Sequence, residues 1–300
     1  MPTINNEFMR SIIFGLPPLA EQARIVAEIE KFEPLIAEYD KLEQQATKLD
    51  DEIYDKLKKS ILQYAIQGKL VPQNPNDEPA SVLLKRIRAE KKAKLGKKYV
   101  DSYIYKGDDN RYYEHIAGRA QDELVEVPFD IPDNWVWVRV NNCCEIRNGF
   151  TPSRTESKFW DNGTIPWFTV EDINSQGKII KTTKQYITEL ATTKERIVPA
   201  NSLLLCCTAS VGIFAKNTIA LTTNQQFNGL TIKSDYTNML SIDYLFAIGE
   251  YFSERLHRLA GKTTFEFVSV KKLGQIILPI PPLAEQNRIV AKINEIFAMM

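Results

Sequence analysis

The sequence predicts an α+β fold: a β-rich domain joined to a long helical region that forms a coiled coil. Three observations predict it. Apolar residues recur along residues 25–64 at the spacing of a helix seam. Short apolar or alternating runs separated by turn residues fill residues 135–233. And PPLAEQARIVAEI at 17–29 returns as PPLAEQNRIVAKI at 281–293, with only Ala23/Asn287 and Glu28/Lys292 changed. An offset of 264 residues is too long for a solenoid repeat; it marks one structural unit closing where another copy begins.

The 300 residues are enough for two domains, or one domain with a long appendage. With 44% hydrophobic and 25% charged residues the chain is neither disordered, collagen-like nor a disulfide miniprotein. No run approaches the ~18 apolar residues of a membrane span, and the N-terminus lacks the basic and apolar regions of a signal peptide. A cytoplasmic, membrane-free protein is therefore expected. The 38 basic and 38 acidic side chains cancel, so binding to a polyanion has to rely on local patches. The cysteines form vicinal pairs, Cys143-Cys144 and Cys206-Cys207, without the C-x₂-C spacing of a zinc site. They read as reduced core cysteines in strands, with a metal site as the alternative.

Each copy of the repeat begins as a strand-to-helix corner. Ile276-Ile277-Leu278, matched upstream by Ile12-Ile13, runs into a Pro-Pro pair. Proline suits a helix's first turn, Glu285 lies near the positive end of the helix dipole, and Ile289 and Ile293 fall four apart on one face. After the first copy the seam runs Ile25, Ile29, Phe32, Ile36, Tyr39, Leu42, Ala46, Leu49, Ile53, Leu57, Ile61, Tyr64, eleven steps across 39 residues. That mean of about 3.5 is the period of a coiled coil. Pro34 predicts a kink or restart at residues 31–34. A narrow seam this long asks for a partner helix, packing onto the chain's own domain being the alternative. Ile36, Tyr39, Leu42, Leu49, Ile53, Leu57 and Ile61 are the expected packing positions.

A proline-rich break at 71–79 leads to a shorter helix from about Ala80 to Leu95. Between Lys85 and Lys98 stand eight basic residues and one acid, Glu90. The run fits contact with DNA phosphates or an acidic partner, and equally a solvated face. Residues 99–131 read as a linker with little regular structure. Strands are expected at Trp135–Val140, Ile165–Val170, Lys178–Ile180, Ser202–Cys207, Gly212–Ala215 and Gly229–Lys233. A helix from about Ser241 to Leu259 follows, burying Tyr244, Leu245, Ile248, Phe252 and Leu256. The four tryptophans, all between 135 and 167, read mostly as core.

The order of these segments resembles the specificity subunits of type I restriction–modification systems. The resemblance is carried by NWVWVRVNNCCEIRNGFTPSR (134–154), IPWFTVEDI (165–173), TTNQQFNGL (222–230), ILPIPPLAEQNRIVAKI (277–293) and ILQYAIQGKLVPQNPNDEPASVLLKRI (61–87). It covers nearly the whole chain. In that family a target recognition domain alternates with a conserved helical region, usually twice. The resemblance divides this chain into 1–16 (end of a preceding recognition domain or its remnant), 17–70 (conserved long helix), 71–125 (short basic helix and linker), 126–279 (target recognition domain) and 280–300 (start of a second conserved helix). With one recognition domain and only the opening of a second helix, the chain departs from that pattern and resembles a half-subunit, either natural or cut from a longer chain. The resemblance further implies binding of double-stranded DNA and docking of methyltransferase subunits, with restriction subunits joining in the full complex, and no catalysis or cofactor in this chain. A homodimer through the long helix would supply the missing partner helix.

Two other classes compete with this one. An autonomous DNA-modifying enzyme needs motifs that the sequence lacks: neither a methyl-donor glycine turn with an Asn/Asp-Pro-Pro-aromatic motif nor a phosphate-binding P-loop is present. Pro132-Asp133 and Glu156-Ser157-Lys158 can be forced onto a nuclease metal site, but the second lies in a polar loop without a rigid strand. A coiled-coil scaffold would need no polar loops such as NGFTPSR and TTNQQ. Those loops supply the candidate DNA contacts. Thr151 and Ser153 bring hydroxyls and Arg154 a bidentate fork suited to guanine; Asn224, Gln225 and Gln226 suit adenine. Lys262, Thr263 and Thr264, after Gly261, suit a phosphate. Asn224 equally suits capping a turn, and Thr151-Pro152 shaping a corner.

Overall fold

A computed structural model describes residues 10, 11, 13, 15–261 and 267–300. The chain divides into two compact units, Met1–Leu57 and Lys58–Met300. Helix α1 (Leu19–Ile66) makes up most of the first unit and ends in the second. Its 48 residues correspond to roughly 72 Å at 1.5 Å per residue. The helix is continuous through Pro34, so the expected restart at 31–34 does not occur. Proline deletes one backbone hydrogen bond, and long regular stretches on both sides hold the helix across the gap. Ile36, Tyr39, Leu42, Leu49, Ile53 and Leu57 are all exposed. Ile61 is not part of this open stripe: it is buried in the core of the second unit with Ala65 and Ile66.

In the second unit, helix α2 (Ala80–Leu95) buries Ala80, Leu83, Leu84 and Ile87 on one face. Gly96, at φ 54°, ends it in a backbone conformation that side chains disfavour. The basic run divides. Arg86 pairs with Glu78, Arg88 with Asp101 and Lys91 with Asp235, and the Arg88 guanidinium lies 3.5 Å from the Tyr103 ring centroid. Lys92, Lys94, Lys97 and Lys98 remain exposed.

Residues 99–131 are not an unstructured linker. Strands β1 (Ser102–Lys106), β2 (Tyr112–Ile116) and β3 (Glu123–Val125) form an antiparallel sheet in that order. Asn110, at φ 67°, helps turn the chain between β1 and β2. The pairing buries Ile104, Tyr112 and Glu114, and Glu114 accepts hydrogen bonds from Arg139 at the end of β4 (Val136–Arg139).

After β4 and the short helix α3 (Val140–Cys143) comes β5 (Cys144–Asn148), the edge of the main sheet. The next elements are β6 (Ile165–Phe168), helix α4 (Val170–Gln176), β7 (Ile179–Ile180), β8 (Gln185–Ile187), β9 (Ser202–Cys206), β10 (Phe214–Asn217), β11 (Thr222–Thr223) and β12 (Phe227–Ile232). The main sheet runs β5-β12-β9-β10-β7, and a smaller one runs β11-β6-β8. Strand β9 reads SLLLC and is buried at every position, the continuous apolar run of a strand covered on both faces. The expected helix 241–259 is two helices, α5 (Ile242–Ala247) and α6 (Gly249–Ala260), meeting at Ile248. Its five expected core residues are all buried. Gly249 is required there because a Cβ would lie 2.1 Å from the Phe214 ring. Cys143, Cys144, Cys206 and Cys207 are free and buried, and burial pushes the Cys207 thiol up to about 12. Helix α7 (Val270–Gly274) leads into β13 (Ile277–Ile280), which pairs antiparallel with β4, and helix α8 (Leu283–Ala298) comes after the Pro-Pro pair.

The corner at the start of α8 is pinned by polar groups. Trp135 Nε1 donates to Glu285 Oε2 at 3.0 Å, and Gln73 Nε2 to Glu285 Oε1 at 2.5 Å. Gln286 donates to the Met239 carbonyl at 2.7 Å and accepts from the Ser241 amide at 2.9 Å. Burial raises the Glu285 carboxyl above its ordinary 4.5. A raised carboxyl binds its proton more tightly when folded, so its stabilisation is present below about 4.5 and is lost as pH rises through the folded value. The stability advantage of the parent over Glu285→Gln should therefore shrink with rising pH, as read by chemical denaturation across pH 4–8. Glu285→Ala, which strands the buried indole N–H, should cost about 1–3 kcal/mol at neutral pH.

Candidate nucleic-acid interface

The two polar loops singled out in the sequence come together on one edge of the β structure. Strand β5 ends at Asn148, opposite Asn228 of β12. Gly149 then passes so close to the facing loop that a Cβ would lie 1.8 Å from the Asn224 carbonyl oxygen and 2.4 Å from Thr223 Oγ1. Only glycine permits that approach. Gly149 N donates to the Phe227 carbonyl at 3.0 Å, and Phe150 N to the Thr223 carbonyl at 2.9 Å. Loop 148–155 is thereby laced to loop 222–227. Between the side chains, the Thr151 hydroxyl donates to Gln225 Oε1.

Arg154 is held on an aromatic platform. Its guanidinium lies 3.8 Å from the Trp160 ring centroid and 4.7 Å from that of Trp167. Nη1 donates to Gln185 Oε1 at 2.7 Å. The two indoles meet edge to face at 5.2 Å. Each also ties down the loop: Trp160 Nε1 donates to the Ser153 carbonyl and Trp167 Nε1 to the Phe150 carbonyl, both at 3.0 Å. Stacking of an exposed cation on such rings contributes ~0.5–1 kcal/mol and restricts the guanidinium before any ligand arrives. One of its N–H donors is used on Gln185; a guanidinium has five.

The expected residues differ in availability. Thr151, Ser153, Arg154 and Gln225 are exposed and Gln226 is half-buried. Asn224 is buried: its Oδ1 accepts from the Gln226 amide at 3.1 Å and its Nδ2 donates to Gln226 Oε1 at 3.0 Å. The turn-capping alternative describes it. Lys262, Thr263 and Thr264 lie outside the described residues. Glu156 is exposed and paired with Lys158, and among the described residues no group of three His, Cys, Asp or Glu side chains could hold a metal ion. Trp160, Trp167, Gln185 and Arg196, whose guanidinium sits 4.5 Å from the Phe150 ring centroid, were not among the sequence candidates. The one available signal was Trp160 in the polar run SRTESKFW, where a buried apolar residue has no reason to be.

Short loops laced to a buried sheet carry polar side chains on an aromatic support, an arrangement suited to recognition from a rigid scaffold. The chain belongs to the type I restriction modification DNA specificity domain family, whose model matches residues 132–299. It is 30% identical over 170 residues to the EcoprrI specificity subunit of Escherichia coli, covering 54% of this chain and 42% of that one. It is 27% identical over 334 residues to the EcoAI specificity subunit of the same species, covering 93% and 52%. A solved structure from a study of complex assembly in the type I R-M system aligns over 95% of this chain and 53% of its own at 20% identity, with a TM-score of 0.52, a likeness of fold. The chain thus spans about half the length of the curated relatives it matches.

The lacing through Gly149 yields a direct test. Gly149→Ala should lower the melting temperature and expose the Trp160–Trp167 pair to a fluorescence quencher, because Cβ cannot enter without separating the loops. Unchanged quenching would show that the loops part without consequence.

Proposed function

We propose that this chain is a DNA sequence-specificity subunit of a type I restriction–modification complex, acting as a half-subunit with its recognition domain at 126–279. It reads one half-site of a bipartite target and docks methyltransferase subunits, with restriction subunits joining in the full complex. It performs no chemistry of its own and works in the cytoplasm. The observation that carries the reading is the pair of laced loops presenting Thr151, Ser153, Arg154, Gln225 and Gln226 together. Hydroxyls, amides and a guanidinium are the groups that read base edges and hold phosphates. Family membership supports the DNA as ligand.

The exposed stripe Ile36, Tyr39, Leu42, Leu49, Ile53 and Leu57 supports a homodimer through residues 34–66, with the helices antiparallel. Two recognition domains related by a twofold axis and held apart by roughly 50 Å of helix would meet DNA about one and a half turns apart. The target is then a bipartite palindrome of identical inverted half-sites.

Co-purification with the methyltransferase subunit, followed by mapping of methylated sites, tests the reading; methylation at a single asymmetric half-site overturns the palindrome. Arg154→Ala or Gln225→Ala should weaken specific over random DNA by ~1–3 kcal/mol for each lost bidentate contact. If Arg154 holds only phosphate, all sequences should weaken together and the salt slope should fall by about one. Asn224→Ala should act through the turn and so also lower thermal stability. Unchanged DNA binding in all three variants places the reading surface elsewhere.

Replacing Leu49 and Ile53 with Glu should yield a monomer by light scattering, since each carboxylate would be buried without a partner. A parent chain that is already monomeric at tens of micromolar counts against the dimer.

A further inference from the structure

Seven of the eleven arginines from Lys58 onward pair with a carboxylate: Arg86, Arg88, Arg111, Arg119, Arg139, Arg147 and Arg288. Arg154 and Arg196 lie instead on aromatic rings at the laced loops. The last two, Arg255 and Arg258, stand on α6 and carry no ion pair among the described residues. The Tyr251 ring centroid is 5.9 Å from the Arg255 guanidinium, the outer limit of a cation–π contact. DNA reading by the loops uses neither residue.

Arg255 and Arg258 line a cleft of about 340 Å³ together with Lys272 of α7, whose Nζ donates to the Leu259 carbonyl at 3.3 Å. Among the described residues, none from loops 148–155 and 222–227 lines it. Leu124 and Val125 of β3 do. Successive strand residues point to opposite faces of a sheet, so a cleft lined by both runs along the edge of the strand rather than over a face. That edge is free. The sheet order β1-β2-β3 pairs β3 on one side only, and residues 124–126 make no other backbone hydrogen bond among the described residues. Leu124 is 56% exposed. Three cations without an ion pair, Arg255, Arg258 and Lys272, share the cleft with a single acid, Glu126, while Arg139 beside them is committed to Glu114.

We propose that an extended acidic segment of a partner protein docks in this cleft, adding a strand to the free edge of β3 and seating its carboxylates on Arg255, Arg258 and Lys272. The edge offers backbone donors and acceptors that a peptide strand matches, and alternate side chains of that strand point to one side. Cations held close together repel. Carboxylates relieve that repulsion and accept the paired N–H groups of a guanidinium. Duplex DNA also brings anions, but it has no strand to pair with β3 and no apolar side chain to cover Leu124. A three-residue edge is short, which protects a sheet against indiscriminate pairing. With so few backbone bonds, the cations on α6 and α7 select the segment. The inference stands apart from DNA reading by the loops.

The test uses the full chain and a fluorescein-labelled octapeptide of alternating Glu and Val, with binding read by fluorescence anisotropy. The octapeptide should bind, and its Lys-Val counterpart should not. Arg255→Gln with Arg258→Gln should weaken binding roughly tenfold or more, the loss expected of charge-assisted hydrogen bonds, with an unchanged melting temperature. Glu126→Gln removes the opposing acid and should tighten binding, a gain that misfolding cannot produce. N-methylating the alternate peptide nitrogens that face β3 should weaken binding by a similar factor with every carboxylate kept; methylating the other set should cost less. Failure of the Glu-Val peptide to bind overturns the proposal. So does binding that survives the two arginine changes, or that is indifferent to N-methylation of either set. If the arginine changes instead weaken binding of a short unrelated DNA duplex and the peptide does not bind, the cleft holds phosphates and the proposal is overturned.

Discussion

The Glu285 carboxylate organises the second unit. It lies in the first turn of α8, is fully buried, and accepts from the Trp135 indole and the Gln73 amide. Those donors come from the start of β4 and from the segment after α1, so one side chain ties three distant stretches of chain. A buried carboxylate is costly without partners, and its raised proton affinity records part of that cost. The cost is accepted because hydrogen bonds are directional where apolar contact is not. Gln286, beside it, satisfies the Met239 carbonyl and the Ser241 amide and fixes the approach to α5. An apolar pair would fill the same volume and leave the angle of α8 undefined.

At the two laced loops the same logic runs in reverse. The loops place their polar groups outward, and rigidity comes from below. Phe168 and Phe227 pack edge to face at 4.8 Å under β6 and β12, and Thr223 Oγ1 donates to the Phe227 carbonyl at 3.0 Å. Asn224 commits its amide to the turn, so that Gln225 can stand clear of it. In the proposed role, a loop fixed in this way would lose little freedom on binding, which would leave more of each contact's energy for discrimination.

Much of this was legible because the responsible signals are local. The repeat marked the corner from β13 into α8 and the start of α1, though no strand precedes α1 among the described residues; β-branched and aromatic runs between turn residues located β4, β6, β9 and β12; helix α2 lies at Ala80–Leu95 as expected. The three-stranded sheet over 102–125 was missed because its strands are short and polar, and their burial depends on Arg139 reaching Glu114 across the fold. The same limit applies to the site. NGFTPSR and TTNQQ announce polar loops, but that Asn224 faces inward and Arg154 lies on Trp160 depends on the close pass at Gly149, which joins residues about 75 apart in sequence. Ile61 fitted the seam's period, and only the tertiary core assigns it to the second unit.

The exposed stripe on α1 bears on how weak contacts could become a specific signal. Six large apolar side chains at helical spacing, each about half exposed, represent a free-energy deficit of ~25 cal/mol for each Å² left in water. In the proposed dimer, covering them would link self-association to half-site reading, because the second recognition domain would then meet DNA as an intramolecular event at high effective concentration. With 38 basic and 38 acidic side chains the chain has no net positive charge to draw DNA from a distance. Its hold on DNA would depend on both half-sites being engaged together, so the apolar seam, remote from any base, would contribute to sequence discrimination as directly as the loops do.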